Sequence, residues 1–237
     1  MSELPTRERI ILAIDTSRRE DAERLATVAE QAGARFVKMG LELSSAESWL
    51  YCSRLAAQHR LDWVADAKLD DIPNTVVRAV RNISRLAHPP FGITMHTTAG
   101  SEAMRAAQEE AGPVKMLGVT VLTSFKEDEA QRLYGVPARQ KVIALARDAA
   151  VAGLAGIVSS PLEVGMIKSD PQTQHLFAMI PGTRSASAAH GDQARVGTPA
   201  AAIQAGADLL VIGRQITHAE NPMLAYEALV AEIGAVL

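Results

Sequence analysis

One cysteine, Cys52, occurs in the 237-residue chain, so no internal disulfide can form and no cysteine-built metal cluster is possible. Aromatic residues are equally scarce, at 4%, and the formal net charge is -3 without any basic run. A nucleic-acid surface needs a basic stripe or rings on which bases stack, and this composition offers neither. No apolar run approaches the ~20 residues of a membrane-spanning helix. The opening segment, Met1 to Arg9, is too polar for a secretory signal. These absences predict a cytoplasmic protein that engages neither nucleic-acid polymer nor membrane. No GxGxxG follows the first strand, and no ligand spacing typical of a metal site occurs. Neither a dinucleotide nor a resident metal is expected, and no cofactor is called for.

What is present is a regular alternation. Arg9 to Ile14 is a short β-branched run ending at Asp15, and the helix after it stops at Gly33. Phe36 to Met39 reads as the second strand, with a helix from about Ala46 to Gln58. Leu61 to Ala65 is the third, with a helix from Ile72 to Leu86. Gly92 to His96, Val114 to Leu122, Gly156 to Ser159, Leu176 to Ile180 and Asp208 to Ile212 supply five more strands. Helices are expected through Glu110, from Ala138 to Ala152, from Leu162 to Ile167 and from Pro222 to Val236. Buried, non-alternating strands between helices imply a parallel sheet. About eight such units, with 48% hydrophobic residues and no linker, fit a single (β/α)8 barrel domain over residues 1–237. A doubly wound open sheet is the competing arrangement. Trp63, Met95 and Met116 read as core residues.

The third unit carries the chemistry. After its strand comes Asp66-Ala67-Lys68-Leu69-Asp70-Asp71-Ile72-Pro73-Asn74-Thr75. Alternation along a strand sends Asp66 and Lys68 to the same side, with Asp71 on the following loop. The carboxyl ends of barrel strands are where such proteins keep their reactive groups. Lys38 lies within a short apolar strand, where an unpaired ammonium is costly, and Asp66 on the next strand is its candidate partner.

A long segment from Gly182 to Gly197, rich in Ala, Ser, Gly and Arg, has no clear period, as lids and binding loops often do not. Strand eight ends in Gly213-Arg214. With Gly182 and Arg184 after strand seven, these residues suggest a phosphate site of backbone N–H groups and guanidinium.

Taken together, these motifs resemble the orotidine 5'-phosphate decarboxylase family over nearly the whole chain. The resemblance rests on Asp66-x-Lys68-x-x-Asp71-Ile72-Pro73-Asn74-Thr75, Lys38 before Gly40, and Leu122-Thr123-Ser124. Pro181-Gly182-x-Arg184, Asp192-Gln193-x-Arg195 and Gly213-Arg214 complete it. It departs at Thr183, where the family usually has Ile, and at Gln215, where it usually has Pro.

The resemblance implies cofactor-free decarboxylation of orotidine 5'-monophosphate, a small-molecule substrate, to uridine 5'-monophosphate. Removing CO2 from C6 leaves a carbanion with no adjacent carbonyl, a problem usually handed to a cofactor. Here a protonated Lys68 would stabilise the negative charge and then protonate C6. Asp66, Asp71 and Lys38 would complete an alternating network around it. A carboxylate near the departing group would also repel it, at ~4 Å and an effective dielectric of ~20 by about 4 kcal/mol. Gln193 and Arg214 would hold the phosphate, and Asp15 and Lys38 the ribose hydroxyls. Thr123 or Ser124 would meet the pyrimidine edge. By the same resemblance Asp71 and Thr75 reach the neighbouring subunit's site, which implies a homodimer with shared sites. Two rival readings are a Mg2+-dependent sugar-phosphate lyase or isomerase of the same barrel, and a catalytically silent nucleotide-binding protein.

Overall fold

Eight parallel strands run in sequence order around a closed barrel, each bonded to the next and the last to the first. They are β1 (Ile10–Ile14), β2 (Phe36–Gly40), β3 (Asp62–Leu69), β4 (Gly92–His96), β5 (Lys115–Val119), β6 (Gly156–Val158), β7 (Phe177–Pro181) and β8 (Leu209–Ile212). The computed structural model describes residues 4–185 and 197–237. Helices cover the outside: α1 (Arg19–Gln31), α2 (Leu41–Ala46), α3 (Trp49–Gln58), α4 (Pro73–Ser84), α5 (Ser101–Ala111), α6 (Glu127–Tyr134), α7 (Ala138–Val151), α8 (Val164–Ser169), α9 (Pro199–Gln204), α10 (Arg214–Thr217) and α11 (Pro222–Gly234). The expected barrel is therefore the observed one, and the open sheet is not.

Alternation along the strands sorts side chains between two cores. Ile10, Leu12 and Ile14 of β1 join the large outer core beneath the helices, whereas Ile11 and Ala13 face the barrel interior. Phe36, Val64, Leu117, Phe177, Met179, Leu209 and Val211 fill that interior from the other strands. Phe91, just before β4, meets Phe36 at a centroid distance of 4.9 Å and Phe177 at 5.8 Å, both edge-on. These rings close the amino end of the barrel, so the His88-Pro89-Pro90-Phe91 segment lies opposite the candidate site. Helix α4 illustrates the outer layer. Pro73 opens it, and Val76, Val80 and Ile83 recur at helical spacing on its buried face.

Strand β5 ends at Val119, short of the expected Leu122, and the short helices α9 and α10 are additional; three further differences concern β3, the region before α3 and the region before Ala138. Strand β3 continues to Leu69 instead of ending at Ala65, so Asp66 and Lys68 are part of the strand, whereas Asp70 and Asp71 follow it. The helix expected from about Ala46 to Gln58 is α3, which begins only after Ser48, whose hydroxyl accepts the Tyr51 N–H at 3.2 Å, and the short helix α2 precedes it. Before Ala138 there is a further helix, α6, with Glu127, Asp128 and Glu129 in its first turn and left-handed Gly135 ending it.

Candidate active site

The inward rows that are apolar at the amino end of the barrel become charged at the carboxyl end. On β2 the row passes from Phe36 to Lys38, and on β3 from Val64 to Asp66 and Lys68. Lys38, Asp66 and Lys68 line a cavity of about 500 Å³ at the carboxyl mouth. Asp66 is central. Its Oδ2 accepts from Lys68 Nζ at 2.6 Å and lies 3.1 Å from Lys38 Nζ. Lys38 also donates to Oδ1 of Asp15, just past β1, at 2.8 Å. The order Asp15, Lys38, Asp66, Lys68 is thus a continuous row of alternating charge across three neighbouring strands.

Gly40 lets this row form. It pairs with Asp66 in the β2–β3 register, and a Cβ there would stand 3.3 Å from Lys38 Nζ and 3.5 Å from Asp15 Oδ1. Any side chain would press into the network.

Burial and charge compete at these groups. Burial alone would pull the Lys38 ammonium down, but Asp66 and Asp15 outweigh it, so its pKa ends above the ordinary lysine value. Burial alone would push Asp66 up, but Lys38 and Lys68 hold it well below the usual carboxylate range. Both groups are therefore charged at neutral pH. His96, at the end of β4, is lowered, because burial outweighs the opposing Asp70 charge. The shift favours the neutral imidazole.

Opposite the charged row the wall is apolar, built from Val119, Val121, Leu122, Val158, Met179 and Val211. Thr123 sits at its edge and lines the cavity, whereas Ser124 is exposed and does not. The third side carries Arg184 after β7, and Gly213 with Arg214 after β8. Arg184 is buried, and its guanidinium donates to the Thr183 carbonyl at 2.8 Å. Two arginines thus line the β7–β8 side of the cavity, where an anionic group would find positive charge.

The two departures noted in the sequence lie beside this end. Gln215 clamps Ser185, accepting its N–H at 3.2 Å and donating to its hydroxyl at 2.6 Å; the hydroxyl in turn donates to Glu232 at 2.5 Å. A proline at Gln215 could not do this. The Thr183 hydroxyl is fully buried and has no hydrogen-bond partner among the described residues, so an apolar residue would be accommodated there more cheaply.

Asp71 and Thr75 are elsewhere. Both are exposed and neither lines the cavity. The Asp71 carboxylate accepts the Ile72 N–H at 2.7 Å, and among the described residues it makes no ion pair with Lys68. Within one chain, therefore, Asp71 forms no part of the row of ion pairs that ends at Lys68. Gln193, with Asp192 and Arg195, lies outside the described residues. Glu42, Ser159, Thr217 and His218 line the cavity without having been singled out, since none sits in a telling spacing. Thr94 was also missed, although a hydroxyl inside the apolar strand Gly92 to His96 was a usable signal. Among the described residues no group of three His, Cys, Asp or Glu side chains is placed to hold a metal ion. No described helix is long and apolar enough to cross a membrane.

Fold and site together define a (β/α)8-barrel protein with a charge-alternating cavity at the carboxyl ends of its strands. The profile of the orotidine 5'-phosphate decarboxylase / HUMPS family matches residues 8–229. Orotidine 5'-phosphate decarboxylase of Anaeromyxobacter dehalogenans is 44% identical over 228 residues, covering 94% of this chain and 97% of that one. The decarboxylase of a Synechococcus strain is 42% identical over 239 residues, covering 95% of each. Among solved structures, orotidine 5'-phosphate decarboxylase from Lactobacillus acidophilus superimposes with a TM-score of 0.81 at 28% identity, covering 95% of this chain and 99% of that one. The chain belongs to the orotidine 5'-phosphate decarboxylase / HUMPS family.

Proposed function

We propose that the chain decarboxylates orotidine 5'-monophosphate to uridine 5'-monophosphate, the closing step of pyrimidine nucleotide synthesis. The observation that carries this reading is Asp66 held between Lys38 and Lys68 at the cavity floor, with Lys68 the end of the row. The C6–carboxylate bond breaks heterolytically, CO2 leaves, and the electron pair stays on C6. The Lys68 ammonium lies beside the developing charge and donates the proton that completes the C6–H bond. It regains a proton from solvent. The array of charges is built before substrate arrives, so no reorganisation is needed at the moment of reaction.

The remaining contacts follow from position. Arg214 and Arg184, with Gln193 from the long segment, take the 5'-phosphate. Asp15 and Lys38 take the ribose hydroxyls, and Thr123 the pyrimidine edge. Binding energy from the phosphate, remote from C6, orients the ring and lowers the barrel's demands on it. Asp71 and Thr75 serve the site of a second copy of the chain, because within one chain they stand outside the cavity. The active form is then a homodimer with shared sites.

The test is incubation with orotidine 5'-monophosphate while its absorbance is followed, with and without a chelator. Loss of absorbance with release of CO2, unchanged by the chelator, is the expected result. No turnover of this nucleotide, or turnover of a sugar phosphate that the chelator abolishes, would overturn the assignment.

A further inference from the structure

Strand β3 is irregular at the point where its charged side chains emerge. Ala65 pairs with Ile93 of β4, and the next paired residues are Leu69 and Met95. Three residues of β3, Asp66, Ala67 and Lys68, therefore face a single residue of β4, which is Thr94. Lys68 takes a positive φ of 45° in this bulge, a conformation lysine rarely adopts. Its N–H has left the regular ladder and needs another acceptor.

Thr94 supplies that acceptor. Its hydroxyl receives the Lys68 N–H at 2.9 Å and donates its own proton to Asp66 Oδ1 at 2.9 Å. Thr94 is fully buried, so water cannot replace either bond. The division of Asp66 is complete: Oδ2 faces both lysines, and Oδ1 is held by Thr94. One hydroxyl thus fixes the backbone from which Lys68 projects and the carboxylate towards which it points.

We propose that Thr94 is a positioning residue for the reaction, locking Lys68 and Asp66 in register through the β3 bulge. This rests on the decarboxylase reading given above. Valine at position 94 has nearly the same shape and neither function of the hydroxyl, so it leaves a buried N–H and a carboxylate oxygen without partners. Serine keeps both bonds.

The experiment compares wild type, Thr94→Val, Thr94→Ala and Thr94→Ser for kcat, KM and binding of uridine 5'-monophosphate. Thr94→Val should lower kcat by ~10- to ~100-fold, the range of one hydrogen bond to a charged group. KM and nucleotide binding should change little, because the phosphate contacts lie across the cavity, and Thr94→Ser should recover most of the loss. Thr94→Ala makes the same comparison if valine overfills the site. Wild-type kcat in either apolar variant would overturn the inference, as would serine falling as far as valine. Failure of both apolar variants to fold while Thr94→Ser folds would make Thr94 a folding residue and overturn it too. Absence of turnover in the wild type is a separate outcome, which removes the decarboxylase reading and this inference with it.

Discussion

The Lys68 ammonium stands 2.6 Å from Oδ2 of Asp66, the same oxygen that lies 3.1 Å from Lys38. Two cations share one carboxylate oxygen, so neither is fully neutralised by it. Lys38 is compensated from its other side by Asp15, but among the described residues Lys68 is the end of the row. The end of the row is where an incoming anionic centre would find positive charge.

That placement gives the first prediction. Lys68→Ala should lower kcat by at least ~10²–10⁴, the usual contribution of a positioned general acid. Binding of uridine 5'-monophosphate should stay within about tenfold, since the arginine side of the cavity is untouched. Calorimetric titration with the product beside a turnover assay separates the two. Retained decarboxylation in the purified variant would remove Lys68 as the proton donor.

Arg214 tests the other end of the cavity. Arg214→Ala should raise KM for the 5'-phosphorylated substrate by ~10- to ~100-fold, the value of a charge-assisted contact. It should leave the slow reaction of the unphosphorylated nucleoside almost unchanged. Equal losses for both substrates would show that Arg214 does not act through the phosphate.

Much of this was legible in the residues, for physical reasons. Lys38 announced a partner because an ammonium in an apolar strand must be paired, and Asp66 is that partner. The barrel followed from buried strands alternating with helices. The route by which Asp66 and Lys68 meet was not legible. Simple alternation puts them on one side, but the chain brings them together through a bulge with a left-handed lysine, and no local propensity encodes that. Thr94 was passed over because its role depends on the irregularity of the strand beside it. The late start of α3 was hidden for a similar reason, since the turn at Ser48 has a positive φ that serine does not advertise. Asp71 shows the opposite case. Its motif places it near Lys68 in sequence, while its carboxylate folds back on the Ile72 N–H.

The network should also mark the stability of the fold. Lys38 carries a folded pKa above its ordinary value, so its contribution is present below ~10.4 and drains as pH climbs through the folded value. Asp66 carries one below its ordinary value, so its contribution is present above ~3.9 and drains as pH falls through the folded value. The row therefore supports the fold between pH ~4 and ~10. Asp66→Asn should be less stable than wild type in urea titrations, because it leaves a buried lysine facing a neutral group. The gap should be flat from pH ~5 to ~9 and narrow below ~4, as the carboxylate of the unfolded wild-type chain takes up a proton that the folded one still resists. A gap that widens towards acid would contradict the charge assignment.

The last prediction concerns the shared site and depends on the exposed position of Asp71. If Asp71 completes the cavity of a second copy, Lys68→Ala and Asp71→Asn chains are each inactive as homodimers. A mixed dimer then has one site carrying both lesions. Its other site joins the intact Lys68 of one chain to the intact Asp71 of its partner, and that site should turn over normally. Two-fold symmetry makes this reciprocity compulsory. Random reassortment of equal amounts makes half the dimers mixed, each with one good site of two, so about one quarter of wild-type activity should return. The measurement is to mix the two inactive proteins, allow subunits to exchange, verify exchange by native mass spectrometry, and assay. Verified exchange without recovered activity would mean that Asp71 serves its own chain, moving to Lys68 when the nucleotide binds, and the shared-site arrangement would be abandoned.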